Sequence, residues 1–588
     1  MLDLRLYRVT LLPFVILLVA VAFSLHPQPA ALPNAAAAQT FNGSHALAKM
    51  RKLAAEYPDR TPGSASDDAL AALIASRPSP DGLANPFFRI SVLRATVDTT
   101  VGSRTVETVI ATRAGSGPPI VLIADRSNAP AGSAAGLSAT ATLLELASIY
   151  RDLVTTGHTL VLVSTSGGAS AMGALADALP PGTEAAIVLG DLAGDAGRGP
   201  YVVPWSGGGG IAPGPLRRAV SAALSQTLPA TAADATLSDQ LARIALPLTT
   251  APQGPLGAAG IPAVFVSADG EAQPPARERI SSAARITGFG QALLSLTINL
   301  DGAPALASAP TRDVILGSQV LGGGGVRIVI GALLLSLAGC TLDVLARARR
   351  RRAPVGRWCG WVLSHAAPFL LAGLFAAFLG AGGLLPATPA APVSTAVLGV
   401  SGAGVAALVS VGLLFVLAWV LRSAALARRR FSLADEGAGA GAALLITVTI
   451  LSGVLWLDNP YTAALVIVPA HVWLVVVTRE HRVRAGGAVA FIVSLAPVAA
   501  VVALLCARLA IEPFALGWTL ILAIAGGALS PAGLFLLSVS AGCFIAAAVL
   551  LLAPAAPGGA QRVEVTVRGP LRYAGPGSLG GTESALHR

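Results

Sequence analysis

Two acidic residues stand where an alternating α/β chain usually does its chemistry. Asp125 follows the apolar run Pro119 to Ala124, and Asp191 lies at the end of the run Ala185 to Leu192. In sheets built of parallel strands, ligands sit beyond the carboxyl ends of those strands. Two carboxylates there can hold a hard cation through oxygen; two ordinary solvated strand-end acids are the commoner arrangement. A serine hydrolase would need Ser, His and an acid gathered at one end of the sheet. Ser166 and Ser170 lie near a strand-to-helix turn, but Gly-x-Ser-x-Gly is absent and His158 opens the preceding strand, at the opposite edge. The run Gly207 to Gly210 matches a phosphate loop in composition only. With no Lys-Ser/Thr after it, it reads as a flexible surface loop.

Three further polar residues, Asp343, His365 and His471, fall in long apolar stretches. Such residues are costly in lipid and mark either a site or a helix contact. His365 and His471 would form a polar pathway if their helices were neighbours. The plainer expectation is that Asp343 and His365 reach water near helix ends while His471 hydrogen-bonds between helices. Gly437, Gly439 and Gly441, like Gly399 and Gly404, are expected to allow close helix packing. A transporter or lipid-handling protein remains a third functional reading, but inverted repeats and several charged intramembrane residues, which transporters favour, are not seen.

The elements that position these residues follow from composition. Of 588 residues, 54% are hydrophobic and only 12% charged, which excludes a purely soluble protein and a disordered one. Four cysteines, all in apolar runs, exclude a disulfide framework. Residues 26 to 325 carry 19 Lys+Arg against 21 Asp+Glu, so the net charge of +10 belongs to the rest of the chain. That basicity is a topology signal and not a nucleic-acid footprint. Lysine is confined to Lys49 and Lys52 amid abundant Ala, Gly and Arg, the composition of a GC-rich bacterial gene, so the membrane is expected to be a plasma membrane.

Nine apolar stretches are candidate spans of a bilayer, which takes about 20 apolar residues: Val9 to Leu25, Val326 to Ala346, Trp358 to Leu385, Val393 to Val420, Ala438 to Leu457, Tyr461 to Val477, Ala485 to Cys506, Phe514 to Ala528 and Ala532 to Leu552. Lys and Arg near span ends stay cytoplasmic. A cytoplasmic N-terminus puts Arg347, Arg349 to Arg352 and Arg357 in one inner loop, Arg428 to Arg430 in the next, and Arg479, Arg482 and Arg484 in a third. The same count leaves the arginine-bearing tail outside, against the rule. The first stretch also reads as a signal peptide cleaved near Ala35 to Ala38.

The expected organisation is an N-terminal anchor over 1–25, a linker over 26–45, an extracytoplasmic α/β domain over 46–318, a bundle of about eight helices over 326–553, and a flexible tail over 554–588. Within the domain, apolar β-branched runs (Pro119 to Ala124, Thr159 to Ser164, Ala185 to Leu192, Ala263 to Ala268) alternate with helical patterns such as Leu137 to Tyr150 and Thr287 to Leu300. Strands apolar throughout, each followed by a helix, predict a mostly parallel sheet between helices.

Tyr57-Pro58-Asp59-Arg60-Thr61-Pro62-Gly63-Ser64, Val109-Ile110-Ala111, Ile120 to Ala124, Gly132 with Leu143 to Ala147, Thr159 to Val163, Asp191-Leu192-Ala193-Gly194 and Gly260-Ile261-Pro262-Ala263-Val264 follow one another in a telling order. In that order and spacing the chain resembles the di-zinc exopeptidases of clan MH, aminopeptidase-type proteins that include inactive relatives such as nicastrin, the transferrin receptor and the GPI-transamidase attachment subunit. The resemblance covers about Ala46 to Leu300 and implies a zinc-exopeptidase-like α/β fold. Active members need five ligands for two zinc ions and a Glu as general base. By the resemblance, the first His falls on Asp125 with Ser127 in the second acidic place, the bridging Asp on Ala135, the Glu-Glu pair on Gly168 and Ala169, the next Asp on Asp191 and the last His on Gln253. One ligand type of five survives, and Ala, Gly and neutral Gln offer no electron pair comparable to carboxylate or imidazole.

No metal or other cofactor is therefore expected. The expected function is a non-catalytic membrane scaffold that binds a protein partner or a peptide or lipid-linked ligand, with no nucleic acid. The alternative is an active membrane-tethered zinc aminopeptidase, for which zinc would be required.

Overall fold

The structure is a computed structural model that describes residues 4–29, 32, 36–76, 82–99, 101–127, 135–152, 157–194, 200–228, 236–268, 270–271, 281–304, 306, 309–385, 402–428, 431, 433–477, 484–509 and 511–553. Helix α1 (Leu4–Ala22) leads to a two-residue strand β1 (His26–Pro27). Helices α2 (Gly43–Glu56) and α3 (Ala65–Ala75) begin on Asn42 and Ser64, whose side chains accept the backbone N–H of His45 and Asp67 and so satisfy the open first turn. There follow β2 (Arg89–Thr99), β3 (Gly102–Arg113), β4 (Gly117–Asp125), a 3-10 turn at Ala135–Leu137, α4 (Ser138–Asp152), β5 (His158–Thr165), α5 (Ala169–Ala178), β6 (Ala185–Leu189), β7 (Tyr201–Val203), α6 (Gly214–Thr227), α7 (Leu237–Ala245), α8 (Gly254–Ala258), β8 (Ala263–Ser267), α9 (Ala283–Asp301), β9 (Val314–Leu316) and β10 (Gln319–Leu321).

Seven strands form one sheet in the order β2-β3-β5-β4-β6-β8-β7. The four central strands, β5-β4-β6-β8, are parallel, as their uninterrupted apolar runs predict. Both flanks are antiparallel: β2 and β3 form a long hairpin against β5, and β7 lies against β8. The sheet is thus mixed where a mostly parallel one was expected. Polar residues on the exposed strand β2 hid the hairpin, which shows in the sequence only as Val109 to Ala111. Along β4, Ile120, Leu122 and Ala124 pack into the core shared with α2, α4, α6 and α9, while Val121 and Ile123 face α5 and α8. Burial on both faces is why these strands are apolar at every position.

Described residues of the 26 to 45 stretch, expected as a linker, pack on the folded parts. His26 and Pro27 pair with Val320 and Gln319 of β10 in a small sheet completed by β9, and Phe41 is buried in the main core.

The membrane part comprises α10 (Gly323–Arg350), α11 (Val355–Ser364), α12 (Ala367–Ala381), α13 (Gly402–Ala427), α14 (Leu433–Asp458), α15 (Pro460–Val477), α16 (Arg484–Leu509), α17 (Pro513–Ala525) and α18 (Pro531–Leu552). Eight helices are long and apolar enough to cross a membrane, with α11 and α12 counted as one. Among the described residues this is one fewer than the nine expected, because α17 has 13 residues and spans about 20 Å against a hydrocarbon core of about 30 Å. The stretch expected at Val393 begins, in its described part, at Gly402 and runs on to Ala427. None of the four cysteines forms a disulfide.

Chain direction fixes the last helices. Helix α16 starts near the face where α10 ends in arginines and finishes against the α/β domain, with Arg508 on Asp239. Helix α17 begins there, and its end, Ala525, lies against Gly380 near the end of α12 on that same face. From there α18 runs back, with Leu534 beside Gly373, Gly542 beside Ala366 and Leu551 against Gly487 at the start of α16. It therefore ends on the arginine-loop face. Arg429, Arg430, Arg479, Arg482, Gly399 and the tail over 554–588 lie outside the described residues.

The α/β domain is bonded to the bundle. Asn459 Nδ2 donates to the Ile244 carbonyl at 2.7 Å and Thr462 Oγ1 to that of Ala245 at 2.6 Å. Arg312 Nη1 donates to the Asp458 carbonyl at 2.7 Å and its Nε to that of Gly209 at 3.0 Å. The Gly207 to Gly210 run, expected as a flexible surface loop, is thus wedged at the junction.

Candidate functional site

The crevice beyond the carboxyl ends of β4, β5 and β6 rests on a buried ionic base. Arg126, just after β4, pairs its Nε with Asp67 Oδ1 at 2.8 Å, both side chains wholly buried. Its Nη1 and Nη2 donate to the carbonyls of Ser164 and Glu107 at 3.1 and 2.6 Å. Arg60, also fully buried, donates from Nε to the Arg126 carbonyl at 3.2 Å. Buried charges survive only when paired and hydrogen-bonded, so the Tyr57 to Ser64 segment serves as a floor that ties α3 to two strand ends.

On this floor Asp125 is fully engaged. Its Oδ1 accepts the N–H of Ser127 at 2.8 Å and the hydroxyl at 2.6 Å; its Oδ2 accepts the N–H of Gly168 at 2.7 Å. Gly167 donates its N–H to Ser127 Oγ at 3.2 Å. The aim of these amides depends on backbone angles of φ +101° at Gly167 and φ +58° at Gly168, a region that glycine enters freely and other residues do not. Burial pushes the Asp125 carboxyl above the usual carboxylate range, against the opposing pull of the Ser127 and Gly168 bonds. Ala169 is buried at the start of α5.

Asp191, after β6, uses one oxygen. Its Oδ1 accepts Ser138 Oγ at 3.0 Å and the N–H of Ala193 and Gly194 at 2.9 and 3.3 Å. Its Oδ2 is buried with no partner among the described residues. Ala135 opens the 3-10 turn before α4, and Gly132 to Ala134 lie outside the described residues. Gln253 is fully buried ahead of α8 and donates from Nε2 to the Trp205 carbonyl at 3.1 Å.

This donor set does not fit a pair of zinc ions, which need three or more His, Cys or carboxylate ligands apiece or shared. Asp125 already accepts three hydrogen bonds, and among the described residues no three His, Cys, Asp or Glu side chains converge. Among the described residues no serine triad is assembled either. Ser170 Oγ donates to the Asp98 carbonyl. His158 lies at the far end of β5, about 23 Å away along the strand, bonded to Glu184 and Asp301.

The intramembrane residues are placed apart from this crevice. Asp343 pairs with Arg347 one turn on, at 2.8 Å. His471 Nδ1 lies 3.2 Å from Tyr7 Oη of α1, and its Nε2 3.2 Å from the Leu333 carbonyl of α10, so it bridges three helices. His365 does not reach water, contrary to the simple expectation. It is 2% exposed at the α11–α12 break, with Nδ1 at 3.0 Å from the Trp361 carbonyl and Nε2 at 2.5 Å from Arg422 Nη2. The two histidines bond to different helices and form no pathway with each other among the described contacts. Arg422 escaped the sequence reading because its apolar stretch was ended at Val420.

No family model matches the sequence, and no curated protein matches it. Among solved structures the chain is similar to a glutaminyl cyclase from an Acidobacteriales bacterium, at 18% identity over 46% of this chain and 98% of that one, with a TM-score of 0.35. It is also similar to a Zn-dependent exopeptidase from Parabacteroides distasonis (14% identity, 44% and 99% covered, TM-score 0.33) and to a zinc aminopeptidase from Bacillus subtilis (12%, 44% and 94%, TM-score 0.32).

Proposed function

We propose that this chain is a multi-pass plasma-membrane protein whose extracytoplasmic α/β domain resembles a zinc exopeptidase but binds a ligand or partner in place of hydrolysing one. The observation that supports the reading is the state of Asp125: its carboxylate accepts three hydrogen bonds from Ser127 and Gly168 and so staples two crevice loops together. The positions of general base and further ligands are Gly168, Ala169, Ala135 and Gln253, none of which can move a proton or hold zinc tightly. What the crevice does offer is Asp191 Oδ2, a buried acceptor without a described partner. An unpaired buried carboxylate oxygen is costly, and an ammonium or hydroxyl group of a bound peptide or glycan would satisfy it.

The test uses full-length protein in detergent, with zinc added during purification and then dialysed away. Metal analysis is expected to find well under one equivalent, and aminoacyl-4-nitroanilides are expected to stay intact. Two equivalents of zinc with hydrolysis that a chelator abolishes would establish the exopeptidase instead. Asp191→Asn is expected to weaken capture of a peptide or oligosaccharide library without unfolding the domain.

A further inference from the structure

We propose that Arg422, His365 and Ser364 form a receptor for the phosphate of an anionic glycerophospholipid, drawn from the leaflet on the arginine-loop face. Arg422 is a permanent cation inside an apolar helix, a placement that lipid tolerates only with compensation. Its described partners are neutral: Nε donates to Ser364 Oγ at 3.0 Å and Nη2 to His365 Nε2 at 2.5 Å. Among the described residues no carboxylate meets it. A guanidinium has five N–H donors, so three remain for a ligand, and they belong to a group carrying a full positive charge.

The surroundings hold this fork in place. Ser364 Oγ donates to the Trp361 carbonyl at 2.6 Å, and His365 Nδ1 sits 3.0 Å from that same carbonyl, which leaves its Nε2 as the acceptor for Arg422. The guanidinium carbon stands 5.1 Å from the Trp419 ring centre, and Trp361 packs edge-on against His365 with centroids 4.4 Å apart. Two indoles around a headgroup-level cation are the usual furniture of a membrane interface. Arg422 is half-buried on the stripe of α13 that also carries the buried Gly404, Val411 and Ala418, while Leu417, Val420 and Leu421, 53 to 60% exposed, face the bilayer on the other side of the helix. Arg422 lies five residues before the end of α13 at Ala427, about 8 Å along the axis, within reach of a phosphate in the adjoining headgroup layer. That position is why a lipid, and not a soluble anion, is the occupant. A planar fork suits phosphate because two parallel N–H groups can meet two of its oxygens.

The full chain is purified in a neutral detergent, mixed with phosphatidylcholine or phosphatidylglycerol, and its retained lipids are counted by native mass spectrometry. Wild type is expected to retain phosphatidylglycerol about tenfold more strongly, a preference lost in Arg422→Gln and kept in Arg349→Gln, which removes an exposed charge on the same face. Equal retention of the two lipids by wild type overturns the proposal and needs no variant. So does undiminished phosphatidylglycerol binding by Arg422→Gln, or full binding by Arg422→Lys, which would reduce the receptor to a bare charge. Displacement of the lipid by millimolar inorganic phosphate would assign the site to a soluble anion and overturn the lipid source.

Discussion

Arg508, in the last turn of α16, closes on Asp239 of α7 through two parallel bonds, Nε to Oδ1 at 2.8 Å and Nη2 to Oδ2 at 2.7 Å. Asp239 is also the third residue of a capping box with Thr236, so the same carboxylate starts α7 and fixes it to the bundle. Helix α7 carries Arg243, which grips Glu271 beyond β8. The bundle is thereby tied to one wall of the α/β domain through four charged residues.

Removing the clamp with Arg508→Ala leaves Asp239 buried on its Thr236 bonds alone. The expected loss is about 1 to 2 kcal/mol, at the low end because the arginine head is half in solvent. Thermal unfolding of the detergent-solubilised chain checks it, and the swap Arg508→Asp with Asp239→Arg is expected to recover part of the loss. An unchanged melting temperature in Arg508→Ala would mean that the carbonyl bonds of Asn459 and Thr462 hold the domain by themselves.

Gly168 sits at φ +58°, ψ −137° with its N–H on Asp125. Gly168→Ala is expected to cost about 1 to 3 kcal/mol of backbone strain and to misdirect that N–H. Because the two residues share one bond, a cycle with Asp125→Asn should be non-additive by about 0.5 kcal/mol or more. Simple addition in denaturant titrations would show that the staple carries no coupling.

The raised Asp125 carboxyl has a pH signature. Above the unfolded carboxyl value of about 4 the folded state holds this proton longer than the unfolded chain does, so the contribution of Asp125 to stability falls as pH rises through that window. The stability of wild type relative to Asp125→Asn is therefore expected to decline from about pH 4 upward. A difference that rises with pH would mean a carboxyl held low by its three donors instead of raised by burial.

The end of α18 against Gly487 puts residue 553 on the arginine-loop face. A green fluorescent protein fused at the C-terminus is expected to fluoresce in cells, and an alkaline phosphatase fused there to stay inactive. The opposite pattern would require α17 to cross the membrane with 13 residues.

Local pattern was enough for much of this protein. Unbroken apolar β-branched runs announced the four central strands, because burial on both faces leaves no position for a polar side chain. Stretches of about 20 apolar residues announced most of the helices long and apolar enough to cross a membrane. The strand-end residues Asp125 and Asp191 were legible for the same reason, since a carboxylate ending an apolar run has nowhere to go but the crevice. What each carboxylate does there was not legible. Whether Asp125 faces a ligand or a loop depends on Gly167 and Gly168, 42 and 43 residues away, and on the backbone angles that only the packed loop imposes. The β2–β3 hairpin, the short α17 and the pairing of Arg422 with His365 were hidden likewise. Each is decided by contacts between segments distant in the chain, whose free energy depends on three-dimensional proximity and leaves no period in the sequence.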